Sequence, residues 1–438
     1  MSSAAIGSIT EEAYTAQQDR IAARPDMGED NIMLPAAPAG KIAGAYAIVG
    51  LIGLVLTVIG AVVLNVKHAL AAKEVGVFNA AAMSLGCLAM VMIFHAIKAG
   101  WTAGIRRIFE TGMILLPICW LGLGVCVILE LLGPGREGSG VLLTWLYAEK
   151  QGTFLIDHKG AFLNPVFFVV KFLLYGGVWS FLSIRLYDLS RKQDATGDRW
   201  LTAKMRRLSC AGLLLFAVST AFFSFDFAMA QDYRFFSTMW GVYFFAISAL
   251  AGISLVALTL SLCRFFGRLN GVVTQEHFHD MGKLVFAFTC FWAYIAFSQY
   301  FLIWYSNIPE ETAWYTFRQQ NGWMPLFTVL TVLHFAVPFV LFVSRLPKRS
   351  TLGLGFMAIW MIVLTVFDLV WVIRPMVYAP VGGELTNPGA AGWWLDIAAV
   401  LGVLGIFGAL FVRKLASAPL ICTKDPMLVE ALSHKNYV

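Results

Sequence analysis

The sequence contains few charged residues. Asp, Glu, Lys and Arg together make up 13% of its 438 residues, whereas 59% of the residues are hydrophobic. A soluble protein usually carries about twice that charged fraction, so this chain could hardly cover a water-exposed surface of its size. The apolar runs are about 20 residues long and lack the alternation of membrane barrel strands. The scarcity of charge therefore excludes a soluble globular protein and predicts an all-α integral membrane protein.

Metal-binding motifs are also missing. The seven cysteines form no Cys-x-x-Cys pair and no Cys-x-x-Cys-His run, so neither an iron–sulfur or zinc site nor c-type haem attachment is indicated. No predicted span carries two histidines, which disfavours haem b. The net charge of +6 could suggest nucleic acid, but most Lys and Arg residues lie in predicted loops, where they set membrane orientation. We therefore expect no bound metal, no covalently bound cofactor and no nucleic-acid partner.

Ten apolar runs are long enough to cross the hydrocarbon core. The even-numbered loops and both ends of the chain carry most of the Lys and Arg, with seven between Arg185 and Arg207 alone, so we expect them to be cytoplasmic. The sequence predicts a cytoplasmic N-terminal tail at 1–41, a ten-helix membrane domain at 42–412 and a cytoplasmic C-terminal tail at 413–438. The predicted spans are 42–66, 76–97, 111–132, 162–184, 208–230, 235–262, 284–306, 324–344, 352–373 and 392–412.

Three landmarks recur in the same order along the chain. They are an acid two residues before a glycine, a proline at a span start and a late aspartate, found at Glu110 and Asp280, Pro165 and Pro325, and Asp226 and Asp368. The offset of four spans preserves direction, so the repeat is parallel. It predicts two related four-helix bundles, from spans two to five (76–230) and six to nine (235–373), plus flanking helices. Prolines and acids are also common at helix ends without any repeat.

Ionisable residues inside the apolar spans are few, and such residues are costly and usually functional. They divide by predicted depth into an outer group, a middle residue and an inner group. A set of this kind could line two proton half-paths, or its members could simply pair with one another for structural reasons. The outer group is Lys171, Asp226, Asp368, Glu130 and Asp396, the middle residue is His334, and the inner group is His95, Lys98, Glu110 and Asp280.

Aromatic residues are dense in the seventh span. They could line a quinone pocket, but packing or a lipid-facing belt is the commoner role of such a stripe, and we favour it here. The stripe consists of Phe286, Phe288, Phe291, Trp292, Tyr294, Phe297, Tyr300 and Phe301.

Three stretches of the sequence carry a family resemblance. They are Phe225-Asp226-Phe227-Ala228-Met229 continuing to Tyr243, Asp280-Met281-Gly282-Lys283 continuing to Glu311, and Asp157-His158-Lys159 with Leu163-Asn164-Pro165. On these stretches, and from about span two to span ten, the chain resembles the NrfD-like membrane subunits of bacterial alternative complex III, most closely the ActF-type subunit. The first two stretches are long and specific, and the third is shorter.

The resemblance implies a role in quinol oxidation at the bacterial cytoplasmic (inner) membrane. It implies two four-helix bundles, no metal in this chain, and menaquinone or ubiquinone and lipids as ligands. The implied partners are an iron–sulfur subunit, multihaem cytochrome c subunits, a paralogous NrfD-like membrane subunit and, in addition, a terminal oxidase. The paralogue is the better candidate for the quinol pocket, whereas the ActF-type chain is associated with a proton path.

The residues of that path follow here from predicted depth. They are Asp226, Asp368, Lys171, His334, His95, Lys98, Asp280 and Lys283. The quinol site is unassigned, with His158 and Glu130 as candidates. Where the family often has an Asp-Pro-His-Trp run, this chain has Asp232-Tyr233-Arg234-Phe235, so no histidine is available for a protonation role there.

Two other functions fit the same pattern. A proton-coupled secondary transporter also uses paired bundles with buried ionisable groups, and it would have broken spans at matching positions. A passive scaffold of the complex would tolerate neutralisation of Asp226 and Asp368. As an isolated chain the protein is not assigned an enzymatic reaction; the predicted activity belongs to the complex.

Overall fold

The computed structural model describes residues 10–132, 141–146, 154–320, 322–377 and 390–435. Ten helices in these ranges are long and apolar enough to cross a membrane. The chain is thus an all-α, multi-pass integral membrane protein, as its charge-poor composition predicts. The ten helices are α1 Ala36–Val63, α2 Val66–Ile97, α3 Arg106–Leu132, α4 Pro165–Thr196, α5 Trp200–Met229, α6 Trp240–Phe265, α7 Gln275–Ser306, α8 Met324–Val343, α9 Thr351–Val377 and α10 Ala390–Leu415.

Helix α2 begins earlier than the apolar run predicts, at Val66 rather than near residue 76. The side chain of Asn65 accepts the backbone N–H of Lys67 at 2.8 Å and caps the helix, and asparagine is among the best residues for this position. The early start brings Glu74 into the helix, where only 5% of the residue is exposed. Polar residues at the start of α2 concealed this extra length.

The predicted basic loop between Arg185 and Arg207 is mostly helix. Helix α4 continues to Thr196, and α5 begins at Trp200 after a turn in which Gly197 has a φ of +71°. Glycine is the usual residue for such a left-handed helix end. The loop prediction was wrong because a hydropathy drop marks where a helix leaves the apolar layer, not where its backbone hydrogen bonds end.

Helices α2 to α5 close into a ring, with α2 packed on α3 and α5, and α4 packed on α3 and α5. Helices α6 to α9 form a second ring, in which α6 packs on α7 and α9, and α8 packs on α7 and α9. Helices α1 and α10 pair with each other and cover the outside of α2. This arrangement is the predicted pair of four-helix bundles with flanking helices.

The two bundles meet along α2 and α6, which are the most buried of the ten helices. A Cβ atom added to Gly86 of α2 would lie 1.8 Å from the carbonyl oxygen of Ser248 of α6. On the other side of the contact, a Cβ added to Gly252 would lie 2.6 Å from the backbone nitrogen of Cys87. Small residues let membrane helices approach until their backbones touch, so these glycines determine how closely the bundles sit.

Both ends of the chain pack together at one face of the membrane domain. The hydroxyl of Tyr14 donates a hydrogen bond to the carbonyl of Lys424 at 3.2 Å, and the N–H of Leu420 donates to the carbonyl of Ile32 at 2.8 Å. Ile21 lies in a small apolar cluster with residues of the C-terminal segment. We call this side the terminal face; its cytoplasmic orientation stays a prediction.

We predict that Gly86→Ala lowers the free energy of unfolding by about 1–3 kcal/mol, because the new methyl group forces α2 and α6 apart. The control is Gly177→Ala in α4, where an added Cβ has no neighbour within 4 Å. Thermal unfolding of both variants in mild detergent measures the effect. Equal midpoints for Gly86→Ala, Gly177→Ala and the native chain would contradict the importance of this contact.

Candidate functional site

The far end of α5, away from the terminal face, is a π-helical turn at Phe225–Met229. Such turns within α-helices frequently occur at functional sites. Asp226 lies in this turn and is 1% exposed. The sequence predicts that Asp226 lies late in the fifth span, and the structure places it there.

Two residues of α4 hold the Asp226 carboxylate. The ammonium of Lys171 donates to one carboxylate oxygen at 2.5 Å, and the hydroxyl of Tyr175 donates to the other at 2.7 Å. Their i, i+4 spacing puts both side chains on one face of the helix. Lys171 also donates to the carbonyl of Phe162 at 3.2 Å and lies 3.3 Å from the centre of that ring. The first bundle therefore contains a buried, fully hydrogen-bonded ion pair.

Asp368 occupies the corresponding helix of the second bundle, and it is completely buried. The hydroxyl of Tyr243 from α6 donates to one of its oxygens, and the indole N–H of Trp292 from α7 donates to the other at 2.7 Å. Both donors are neutral. The two aspartates thus share a place in the repeat but differ in charge compensation, since among the described residues a cation is bonded to Asp226 and not to Asp368.

His334 lies beside the Asp368 centre. It belongs to a π-helical segment of α8, Leu330–Ala336, and its ring stacks on Trp292 with 3.8 Å between ring centres. The residue is completely buried, and neither ring nitrogen has a hydrogen-bond partner among the described residues. His334 therefore contacts the same indole that donates to Asp368. The sequence did not indicate the π-helical segment in which His334 lies.

A cavity of about 600 Å³ adjoins Asp368. Its volume is within the usual range of small-molecule sites, about 300–1,000 Å³. The cavity reaches the lipid-facing surface at Tyr294 and Phe297, which are 65% and 64% exposed. Its walls are apolar and aromatic, while the polar groups of Tyr243, Gln299 and Asp368 line it within the bundle. The remaining lining residues are Cys290, Trp292, Ala293, Ala296, Tyr300, Tyr315, Phe327, Leu330, Thr331, Phe335, Phe339 and Trp371.

A short helix, Pro309–Gln319, covers the end of the second bundle next to the cavity. Its Arg318 is 1% exposed and donates to the carbonyls of Trp371 at 3.1 Å and Val372 at 2.7 Å, which fastens the helix to α9. Burial lowers the pKa of Arg318 to about 9, and the ring of Trp314 lies 3.4 Å from its guanidinium. This anchor helps to hold Tyr315 in the cavity wall.

The aromatic stripe of α7 serves two purposes. Tyr294 and Phe297 are exposed at the mouth of the cavity, as expected for a lipid-facing belt, whereas Trp292 and Tyr300 line the cavity within the bundle. Sequence alone could not separate these roles, because both sets of residues have the same chemistry. The division follows only from which side of α7 faces α8 and α9.

The two quinol-site candidates lie away from this cavity. The carboxylate of Glu130 accepts the backbone N–H groups of Val141, Leu142 and Leu143 at 2.8–3.1 Å, so it anchors the segment after α3. His158 is exposed and stacks on Phe154. Neither residue lines the Asp368 cavity.

The inner candidates lie near the terminal face. Asp280 pairs with Lys283 at 2.5 Å and with His434 of the C-terminal segment at 2.5 Å. His95 is 5% exposed, and its Nε2 has no hydrogen-bond partner among the described residues. Lys98 ends α2 in a left-handed conformation with a φ of 57°. The structure thus places Asp280 and Lys283 in contact. The described contacts of His95 and Lys98 include neither of these two residues.

A buried ionic cluster at the start of α3 was not anticipated. Arg106 donates to Glu110 at 3.1 Å and to Asp425 of the C-terminal segment, and Arg107 donates to Glu110 at 2.7 Å and to Asp194 of α4. The i, i+3 and i, i+4 spacing of these arginines from Glu110 was the available signal. The cluster joins α3, α4 and the C-terminal segment.

The outer acids outside the two centres also have partners. Asp396 of α10 pairs with Arg374 of α9 at 2.8 Å, and Asp232 pairs with Arg234 at 3.0 Å. Arg234 thus holds Asp232 within the Asp232-Tyr233-Arg234-Phe235 run. Neither pair shares a residue with the described hydrogen bonds of Asp226 and Asp368.

Within the described ranges, no three His, Cys, Asp or Glu side chains cluster in a way that could hold a metal ion. The metal-free character of the chain stays a prediction. No protein-family model matches this chain, and no curated protein matches it in sequence.

We predict strong energetic coupling between Lys171 and Asp226. Lys171→Met and Asp226→Asn should each cost about 3–5 kcal/mol, because each leaves a buried partner uncompensated, and the double variant should cost less than their sum. Denaturant titration in detergent gives the four free energies of unfolding. The same cycle on Lys283 and Asp280 should give a coupling below about 1 kcal/mol, because the Lys283 side chain is 47% exposed. Additive costs at Lys171 and Asp226 would rule out the pair.

Proposed function

We propose that this chain is a membrane subunit of a quinol-oxidising respiratory complex in the bacterial inner membrane, where it supports proton transfer. In this proposal both termini are cytoplasmic, and electrons pass through partner subunits that contain iron–sulfur clusters and haems. The chain itself supplies titratable side chains along the path of the protons through the membrane. Each oxidised quinol releases protons together with its electrons, so such a complex needs groups of this kind.

One observation carries the proposal: a buried aspartate lies at a matching place in each bundle, and each is bonded to phenol, indole or ammonium donors. Ionisable residues at this depth are expensive and are generally retained for function. The donors keep each carboxylate oriented and available for exchange with a proton. Asp280 and His434 at the terminal face supply a second set of titratable groups on the other side.

The cavity at Asp368 supports a role in quinol binding as well. A quinol has a flat ring with hydroxyl groups, and it reaches proteins through the lipid phase. The cavity offers aromatic walls, an entrance from lipid and a carboxylate that can accept a hydrogen bond from a hydroxyl group. Ligand sites typically combine a mostly apolar lining with a few convergent polar groups in this manner.

The transporter alternative has weaker support. Transporter sites usually form where helices break at matching positions of the repeat. Here the interruptions in the described ranges are at residues 114–115 of α3, at Phe225–Met229 of α5 and at Leu330–Ala336 of α8. No two of these three helices are repeat partners. Solute uptake by the chain alone would favour the transporter.

We predict that Asp226→Asn and Asp368→Asn reduce turnover of the complex by about 100-fold, the usual value of one positioned proton-transfer group. Asp396→Asn is the matched control, because Asp396 is also buried and paired but lies outside both bundles. Quinol:acceptor activity and proton release are measured on the purified complex in liposomes. Native rates of turnover and proton release in Asp226→Asn and Asp368→Asn would support a passive scaffold instead, and an equal loss in all three variants would contradict a special role of the two aspartates.

We also predict that Ala293→Phe weakens quinone binding by about tenfold or more, because the added ring occupies a cavity that otherwise admits the ligand. Ala287→Phe on the same helix is the control, since Ala287 is exposed and does not line the cavity. Quenching of tryptophan fluorescence by a menaquinone or ubiquinone analogue reports binding. Identical affinities in the two variants would exclude quinone from this cavity while leaving the proton role open.

A further inference from the structure

A second cavity, of about 620 Å³, opens at the terminal face of the second bundle. It lies where α6 and α8 end and where α7 and α9 begin, so four helices contribute to it or to its rim. The proton and quinol roles proposed above do not use it. Its lining residues are Arg264, Thr274, Gln275, Phe278, Arg345, Leu346, Arg349, Ser350 and Thr351.

The charge of this cavity is positive. Three of its lining residues are arginines, and its lining includes no acid. Arg349 pairs with Glu276 beside the cavity, whereas Arg264 donates to the neutral side-chain oxygen of Asn270. Lys348, which precedes Arg349, is only 5% exposed, and its ammonium lies over the face of the Phe286 ring. Of the three lining arginines, Arg349 is paired with a carboxylate and Arg264 with a neutral amide, so the cavity keeps a net attraction for anions.

Neutral donors add to this attraction. Helix α9 begins at Thr351 and α7 begins at Gln275, so the amino ends of two long helices meet the cavity. The first N–H groups of a helix have no partner within the helix and carry partial positive charge. The side chains of Thr274 and Ser350 cap these two helices, with Ser350 accepting the N–H of Gly353 at 3.3 Å, so the attraction comes from the remaining first-turn N–H groups. Phosphate groups bind readily where such helix ends coincide with basic side chains.

Exposed apolar residues either line the cavity, as Leu346 does, or follow its lining residues in the sequence. Phe265 follows Arg264, Leu346 follows Arg345, and these two apolar residues are 64% and 82% exposed. Leu352, which follows Thr351, is 71% exposed. A water-borne anion would gain nothing from these apolar residues. A molecule with a charged head and hydrocarbon chains would use both features, and basic pockets between membrane helices bind anionic lipid head groups in this way.

We propose that this cavity binds the phosphate head group of an anionic phospholipid, with the acyl chains lying along Phe265, Leu346 and Leu352. The lipid would join the ends of α6 and α8 to the starts of α7 and α9. The site is independent of the proposed quinol chemistry, because it lies at the terminal face and shares no lining residue with the Asp368 cavity.

The test measures lipid binding to the full-length chain in mild detergent by native mass spectrometry, with phosphatidylglycerol or phosphatidylcholine added. We expect phosphatidylglycerol to bind at least about tenfold more tightly, and the double variant Arg264→Gln, Arg345→Gln to lose about fivefold in affinity for each arginine removed. The control double variant is Lys204→Gln, Arg207→Gln, which removes two exposed charges from the same face of the first bundle. It should bind phosphatidylglycerol as the native chain does.

Three outcomes would overturn the proposal. They are equal affinity for the two lipids, equal loss in both double variants, and displacement of bound phosphatidylglycerol by millimolar inorganic phosphate. The last outcome would indicate a site for a free anion. Thermal midpoints in phosphatidylcholine verify that each double variant is folded, so a loss of binding reports on the cavity alone.

Discussion

The close approach of α2 and α6 at Gly86 and Gly252 is the constraint on which the rest of the structure depends. In a bilayer, helices gain little from hydrophobic contact with each other, because lipid is equally apolar, and they associate through tight packing. The backbone contact at these glycines brings the two bundles together. It thereby sets the distance between Tyr243 on α6 and its partner Asp368 on α9, since α9 packs on both α2 and α6.

Tight packing has a second consequence, because the two buried carboxylates must find their partners within the bundles. The carboxylate of Asp226 does so with an ammonium, whereas that of Asp368 does so with a phenol and an indole. Protonation of Asp226 would leave the Lys171 ammonium without a counter-charge. Protonation of Asp368 would instead remove a negative charge whose bonded partners are both neutral. The two bundles therefore offer protons two different environments, although their helices follow the same order.

The sequence was sufficient to predict ten spans, two bundles and the burial of Asp226 and Asp368, because hydropathy and rare buried charges are local signals. It did not indicate Tyr175, Tyr243 or Trp292 as donors, since aromatic residues are abundant here and only tertiary packing selects these three. The contacts between Tyr14 and Lys424 and between Arg106 and Asp425 join residues hundreds of positions apart. No periodicity or composition signal encodes such pairings, and the two cavities likewise arise only from the assembled helices.

The interiors of the two bundles also differ in a way that bears on their roles. In the first bundle, Phe223 and Phe227 stack with 4.7 Å between ring centres, and Phe168 lies 5.0 Å from Phe227, so rings fill the space beside Asp226. In the second bundle the space beside Asp368 is a cavity with access to lipid. The proposed proton-carrying pair of the first bundle is thus surrounded by packed rings, whereas the carboxylate of the second bundle adjoins a space of ligand size. Under the proposed function, the second bundle is therefore the one in which ligand binding and proton transfer can meet at one carboxylate.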